Sequence, residues 1–387
     1  MIRVCTKFEK LLELLSRSGS GILFPGCPGE LSGRSGEELS SGVPSGPASA
    51  SSANSVASAV DSIGQSPVAG MSAEDWKLLL WEAHRQRVMG LVADAVAALP
   101  YDEQPPLAIR VKLALELELI EKNNLVVNAA ARELMAIFET EGFHPVIQKG
   151  PAVADLYPNP LHREPGDIDF YFPADEFERS LVFVRMLSRD ATSADACESG
   201  YTSFSRGTVS APVMESDGGF WYRYNGVTVE HHPVFYDCRC QFPSIDVRSP
   251  EATLLMLSAH ILKHALGKGI GLKQIIDYYI ARRTLNYDPV LLERMIAEAG
   301  LRKWQRLLDD FGPALRRIVA EEGNFGSIPS SPFFLSSPPS VQSSRKSVSF
   351  ASRLRTAAAF CRKIPFALRY SPREWLHTVL LLSRRSR

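Results

Sequence analysis

The stretch that decides the fold is Gln148–Phe172, QKGPAVADLYPNPLHREPGDIDFYF. Just upstream, the apolar run from His144 to Gln148 is stopped by Lys149-Gly150, which predicts a strand closed by a turn. Pro151–Tyr157 fits a helix opened by proline in its first turn, and Asn159–Gly166 is a loop. Asp167–Phe172 (DIDFYF) predicts a strand. Asp167 and Asp169 stand two apart at its start, so the period-2 geometry of a strand turns both carboxylates to one face. Two close carboxylates repel one another unless a cation lies between them. At a strand start beside a loop the expected cation is Mg2+, with Mn2+ as the alternative. Such an ion prefers oxygen ligands and keeps positions open for substrate phosphates. Gly166, just before the pair, lets another group approach closely.

Working outward, Asp175–Leu187 reads as an amphipathic helix and Tyr201–Ser205 as a strand. Phe220–Tyr224, Asn225-Gly226 and Val227–Phe235 predict a hairpin, because Asn-Gly between alternating runs is the strongest short hairpin signal. Along the second arm Val227, Val229 and His231 point one way, and Thr228, Glu230 and His232 the other. A strand beside Asp167–Phe172 brings Glu230 to the aspartate pair. A separation above about 8 Å would exclude shared metal coordination. Three carboxylates on two strands can hold two metals, or one metal plus a base for an acceptor hydroxyl. The candidate metal-binding and catalytic residues are therefore Asp167, Asp169 and Glu230. Lys149 and Gly150, at a turn leading into a helix, suit a triphosphate, with Arg163 as a further phosphate candidate.

The remaining signals are weaker. A lone D-x-D is common, and a Lys-Gly pair is often an ordinary turn. His260 and His264 lie one helical turn apart, but residue 261 is Ile, so the zinc-protease frame is missing. Cys238-Arg-Cys240 lacks a second cysteine pair. Lys263, Lys268 and Lys273 surround Gly267–Gly271, where they meet either a triphosphate or solvent. Asp277 reads as structural.

Helices surround this segment. Residues 5–16 form a short amphipathic pattern, and residues 17–70 are Ser-, Gly-, Ala- and Pro-rich and expected to be flexible. From Ser72, a helix cap followed by Glu74 and Asp75, a helix runs to about Gly90 and a second covers Leu91–Leu99. A long helix spans about Pro106 to Glu141, its apolar face marked by Leu113, Leu117, Ile120, Val127, Ala131, Leu134 and Phe138. Beyond Pro250, helices are expected at Glu251–Leu266, Leu272–Arg283, Pro289–Ala299 and Trp304–Glu321. A Ser/Pro-rich linker, 327–344, leads to a basic tail, 345–387, with helices at 349–368 and 372–383. The expected division is a helical region at 72–141, a mixed core at 142–248 and a second helical region at 249–326.

The order of strand, Lys-Gly, helix, Arg loop, GDID strand and later Glu strand resembles the nucleotidyltransferase superfold shared by DNA polymerase β and the antibiotic and poly(A) nucleotidyltransferases. More closely, it resembles the bacterial uncharacterised nucleotidyltransferase family. Lys149-Gly150, Leu156-Tyr157-Pro158, Arg163 and Gly166-Asp167-Ile168-Asp169 carry the likeness. Asp75-Trp76, Asn123-Asn124, Glu230-His231, His260 with His264, and Glu322–Gly326 extend it over about 72–326. The resemblance implies an α+β fold: a mixed β-sheet core of nucleotidyltransferase type, flanked by N- and C-terminal helical regions. It implies NTP as substrate, Asp167, Asp169 and Glu230 as the metal site, and phosphate contacts from Lys149, Gly150, Arg163, Gly166 and Lys273. One departure concerns the turn, where Pro151 removes an N–H that could cradle a phosphate. Another is the segment 17–70, which the family does not lead one to expect.

The chain has 387 residues, with 43 Lys and Arg against 43 Asp and Glu. That balance argues against a surface that grips nucleic acid throughout. It is also a cancellation: the tail 345–387 holds eleven Lys and Arg and one acid, Glu374, so the rest of the chain is acidic. The tail is a candidate contact for an acidic partner, RNA or a membrane surface. Six cysteines are too few for a disulfide scaffold, and no apolar run is long enough for a transmembrane helix. The N-terminus carries charges through its apolar part, unlike a secretory signal, so a cytoplasmic location is expected. Besides nucleotidyl transfer to an unidentified acceptor, two readings stay open at this point. One is a nucleotide- or partner-binding module without turnover. The other is a glycosyltransferase that holds a nucleotide sugar through D-x-D and a metal.

Overall fold

The computed structural model describes residues 68–190, 208–215, 218–267, 269–310 and 364–376, together with Leu11, Leu14 and Leu15. The chain enters through α1 (Ala73–Gln86) and α2 (Met89–Ala97). Ser72 caps α1 reciprocally: its hydroxyl accepts the Asp75 N–H while the Asp75 carboxylate accepts the Ser72 N–H. The helix stops earlier than the sequence suggests, because Arg87 turns left-handed (φ 56°) and sends its N–H back to His84. Helix α3 (Leu107–Thr140) is long enough, at 34 residues, to serve two cores. Its Ile109 and Leu113 pack into a helical core, and its Val127, Ala131, Leu134 and Phe138 into the core beneath the sheet.

Among the described residues the sheet has five strands in the order β1-β2-β5-β4-β3: β1 (Val146–Ile147), β2 (Ile168–Tyr171), β3 (Val213–Met214), β4 (Phe220–Tyr224) and β5 (Val227–His232). β2 and β5 run parallel, and the remaining pairs are antiparallel. The hairpin β4–β5 turns at Asn225-Gly226, both with positive φ (50° and 82°), as a tight two-residue connection requires. Alternation along the strands sorts the faces. Ile168, Phe170, Phe172, Phe220, Tyr222, Val227 and Val229 face α3 and α5 (Ala174–Asp190) in one apolar core. Tyr171 faces the other core, built from α1, α2, α6 (Pro250–Leu266), α7 (Leu272–Thr284) and α8 (Pro289–Glu298). Leu11, Leu14, Leu15 and α9 (Ile364–Tyr370), through Ala367, join that helical core.

The mixed helix-and-sheet architecture expected from the sequence is therefore present. Several elements differ in extent. The strand ending at Gln148 is two residues long; the Gln148 N–H still donates to the Asp169 carbonyl, while its buried amide reaches the Val234 and Phe235 carbonyls. The helix expected at 151–157 is the four-residue α4 (Pro151–Ala154). It ends because Tyr157 is drawn inward to place its hydroxyl on Asp277. β5 stops at His232, before Pro233, which cannot donate to a ladder. β3 was not foreseen, since its two residues, both exposed, carry no periodicity. The helix expected from Trp304 is present over 302–310. At the C-terminal end, helix continues through Tyr370 and resumes at 372–376, with the break at Ser371. The expected strand 201–205, nearly all of 17–70, the linker 327–344 and most of the tail lie outside the described residues. Among the described residues, no helix is long and apolar enough to cross a membrane.

Candidate active site

The parallel pairing of β2 with β5 sets Asp169 beside Glu230, and Tyr171 beside His232. Asp169, Glu230 and His232 thus share the face opposite the aromatic core. They can offer one ligand atom each within 4.8 Å of one another, the one such group of three among the described residues. Asp169 is buried and Glu230 half-buried. Asp167 lies just before β2 and is exposed; pleat alternation puts it on the Asp169 side.

Asp169 has two partners. Lys149 Nζ donates to its Oδ1 at 2.9 Å, and His232 Nε2 lies 2.9 Å from the same oxygen. Burial alone would raise the Asp169 pKa, but these cationic and hydrogen-bonding neighbours hold it well below the usual carboxylate range. Lys149 is the mirror case. Burial works against its charge, and Asp169, Asp237 and Asp167 overcome that and hold it protonated. Glu230 has weaker support, with His232 Nε2 at 3.5 Å. Burial first, then the charges of Asp169 and Asp167, push the Glu230 pKa up to about 9 against the downward pull of Lys149. The face therefore pairs a carboxylate with a carboxyl group that is kept from ionising by its neighbours. A divalent cation would relieve that repulsion, and the oxygen and nitrogen atoms present suit one.

The turn at Lys149-Gly150 serves this arrangement through its backbone. Gly150 has φ 65°, and a β-carbon there would sit 2.7 Å from the Asp167 carbonyl oxygen. Only glycine lets the turn press against the start of β2. α4, with four residues, is a single turn of helix.

The other sequence candidates lie around this centre. Arg163 is buried and clamped by Asp277 through two hydrogen bonds, Nε to Oδ1 at 2.8 Å and one terminal nitrogen to Oδ2 at 2.9 Å. Tyr157 donates to Asp277 as well, at 2.6 Å. The fork is thus committed to α7, which fixes the loop before β2; Asn124 does the same by donating to the Leu161 and Arg163 carbonyls. Lys273, one turn ahead of Asp277, makes no hydrogen bond or ion pair among the described residues. A β-carbon on Gly166 would lie 3.7 Å from its ammonium. Burial, with Arg163 adding to it, pushes Lys273 down to about 7 against the pull of Asp277 and Asp167. Gly166 thus lies in ordinary contact distance of the Lys273 ammonium.

His260 and Lys263 both reach Asp237, each at 2.7 Å, and His260 Nδ1 lies 3.4 Å from Lys149 Nζ. Burial and then Lys149 keep His260 below its ordinary pKa. Burial and then His260 push the adjacent His264 down to about 3. His260 thus backs Lys149, and the His264 ring packs on His260 with centroids 4.5 Å apart.

Sequence reasoning missed His232 as a site residue. The signal was present, because alternation already placed it with Glu230. His231 drew attention instead, yet it is a core ring. It is fully buried, stacks on Phe172 at 4.4 Å and lies within hydrogen-bond reach of Ser180 and Tyr222.

Residues 72–310 match the family described as uncharacterised nucleotidyltransferase, and the chain belongs to that family. It is accordingly a nucleotidyltransferase, a transferase of phosphorus-containing groups. No curated protein and no solved structure matches the chain.

Proposed function

We propose that the chain transfers a nucleoside monophosphate from an NTP to an acceptor hydroxyl or phosphate, with release of pyrophosphate. The observation that carries this reading is the register of two parallel strands, which sets Asp169 against Glu230 with Asp167 just upstream. A divalent metal bound there would neutralise charge on the transferred phosphoryl group and on the leaving pyrophosphate. Asp167, Asp169 and Glu230 are the residues to hold it. Lys149 keeps Asp169 ionised and oriented. Lys273, beside Gly166 and without a hydrogen bond or ion pair among the described residues, is the cation proposed to meet NTP phosphates. Gly150 seats the turn against β2, and Arg163, through Asp277, positions the loop that carries Gly166.

The test incubates the full chain with each α-labelled NTP, a divalent metal and a cell extract. Wild type is expected to label an acceptor. Asp169→Asn and Glu230→Gln, if folded, are expected to lose about 100-fold or more of that activity, the scale set by removing one electrostatic stabiliser of a transition state. Transfer that survives in both variants, or no transfer by folded wild type to any acceptor, would overturn the proposal. Lys273→Ala should raise KM for the NTP more than it lowers kcat, because a phosphate contact made already in the bound complex contributes mainly to binding.

A further inference from the structure

We infer that the metal centre is a mixed carboxylate–imidazole site, with His232 as a ligand beside Asp169 and Glu230, and that it prefers a first-row transition ion to Mg2+. The inference rests on the nucleotidyl-transfer reading for the purpose of the metal, and goes beyond it in naming the ligand set and the ion class.

Three observations carry it. First, His232 and Glu230 are two apart on β5 and Asp169 lies across from Glu230 on β2, so the three side chains share one face by backbone register alone. Second, among the described residues the polar contacts of the His232 ring point into the site. Its Nε2 lies 2.9 Å from Asp169 Oδ1 and 3.5 Å from Glu230 Oε2. Third, His232 is not held in place by aromatic packing. His231 takes that role, stacked on Phe172 and against Phe220, while His232 makes no ring contact among the described residues. A buried imidazole aimed at two carboxylates is a metal-ligand arrangement.

The chemistry then selects the ion. Mg2+ takes oxygen ligands almost exclusively, whereas imidazole nitrogen suits transition ions. The competing role for His232 is to donate Nε2–H to Asp169 and merely orient it. The two roles use the same nitrogen and exclude each other, since a protonated Nε2 has no lone pair to give. Lys149 also donates to Asp169 Oδ1, so that carboxylate stays oriented if His232 turns its nitrogen to an ion.

The test uses Mn2+ alone with the full chain and no nucleotide. Pulsed EPR of the bound ion is expected to show nitrogen coupling from one imidazole in wild type and none in His232→Asn. In the same variant Mn2+ affinity is expected to fall about tenfold or more, a scale seen when metal-site residues are altered. Mg2+ affinity, measured by competition, should stay nearly unchanged. If His232→Asn fails to fold by circular dichroism, His232→Gln replaces it, and the wild-type spectrum is decisive by itself. Absence of nitrogen coupling in wild type, coupling that survives in the variant, equal losses for Mn2+ and Mg2+, or no Mn2+ binding by folded wild type would each overturn the inference. Label transfer without nitrogen coupling would keep the nucleotidyl-transfer reading and remove this one. Nitrogen coupling without transfer would do the reverse.

Discussion

Gly150 shows at the scale of one residue how the turn and the acidic strand depend on each other. Its φ of 65° is costly for any other residue, and an added methyl would meet the Asp167 carbonyl at 2.7 Å. Gly150→Ala is expected to lower stability by about 1–3 kcal/mol in denaturant unfolding, with the turn and Asp167 pushed apart. A variant as stable as wild type would contradict that contact. His162 gives a pH-dependent counterpart in the same loop. Burial works against its charge, but hydrogen bonds to Asp94 and Glu121, at 2.7 and 2.9 Å, prevail and raise its pKa above 6.5. A raised cationic group adds stability that is complete below its unfolded pKa and is lost as pH rises through its folded one. The Tm advantage of wild type over His162→Gln should therefore be largest near pH 5.5 and shrink above neutrality. A difference independent of pH would show that His162 acts by packing alone.

Among elements, the strands β2 and β5 and the long helix α3 were legible before the structure, and the anchoring of the loop between β1 and β2 was not. The DIDFYF and VTVEHH runs each alternate, so their buried and polar faces follow from the sequence. The Asn-Gly turn fixed where the hairpin reverses. Which strand lies next to β2 is a long-range choice that local periodicity does not encode, and His232 acquired its place in the site through that choice. Arg163 illustrates the same limit. Its type suggested a phosphate contact, but its partner Asp277 is 114 residues away, and only the packing of α7 against the loop brings them together. Breaking that buried pair should be expensive. Arg163→Met or Asp277→Leu alone is expected to cost about 3–5 kcal/mol, and the double variant should recover much of the loss, because no uncompensated charge stays buried. Additive losses in a double-mutant cycle would contradict the clamp. The reach of the strand at 144–148 was also misjudged: it is two residues long, and the Gln148 side chain ties down the chain after β5.

For the whole molecule, the sheet lies between two apolar cores, and the polar site occupies the side facing the helical one. α3 contributes to both, so packing errors in either core are expected to reach the strands. Leu11, Leu14 and Leu15 are among the residues of the helical core, each at most 2% exposed. The N-terminal helical pattern therefore shares a core with residues inside the family match. Leu14→Ala should cost about 2–5 kcal/mol, as for other buried leucines, measured by urea unfolding; a cost under about 0.5 kcal/mol would place that helix outside the core. The even count of 43 cations and 43 acids conceals an excess of acids over residues 1–344 and a basic tail over 345–387.

The central claim is that Asp169 and Glu230 serve attack at the α-phosphorus of an NTP. The measurement that meets it most directly compares α-labelled with γ-labelled NTP in parallel reactions and follows both acceptor and released phosphate. The account predicts α-label on the acceptor and γ-label in pyrophosphate, both lost together in Asp169→Asn. γ-Label on the acceptor, or pyrophosphate release undiminished in Asp169→Asn, would contradict it.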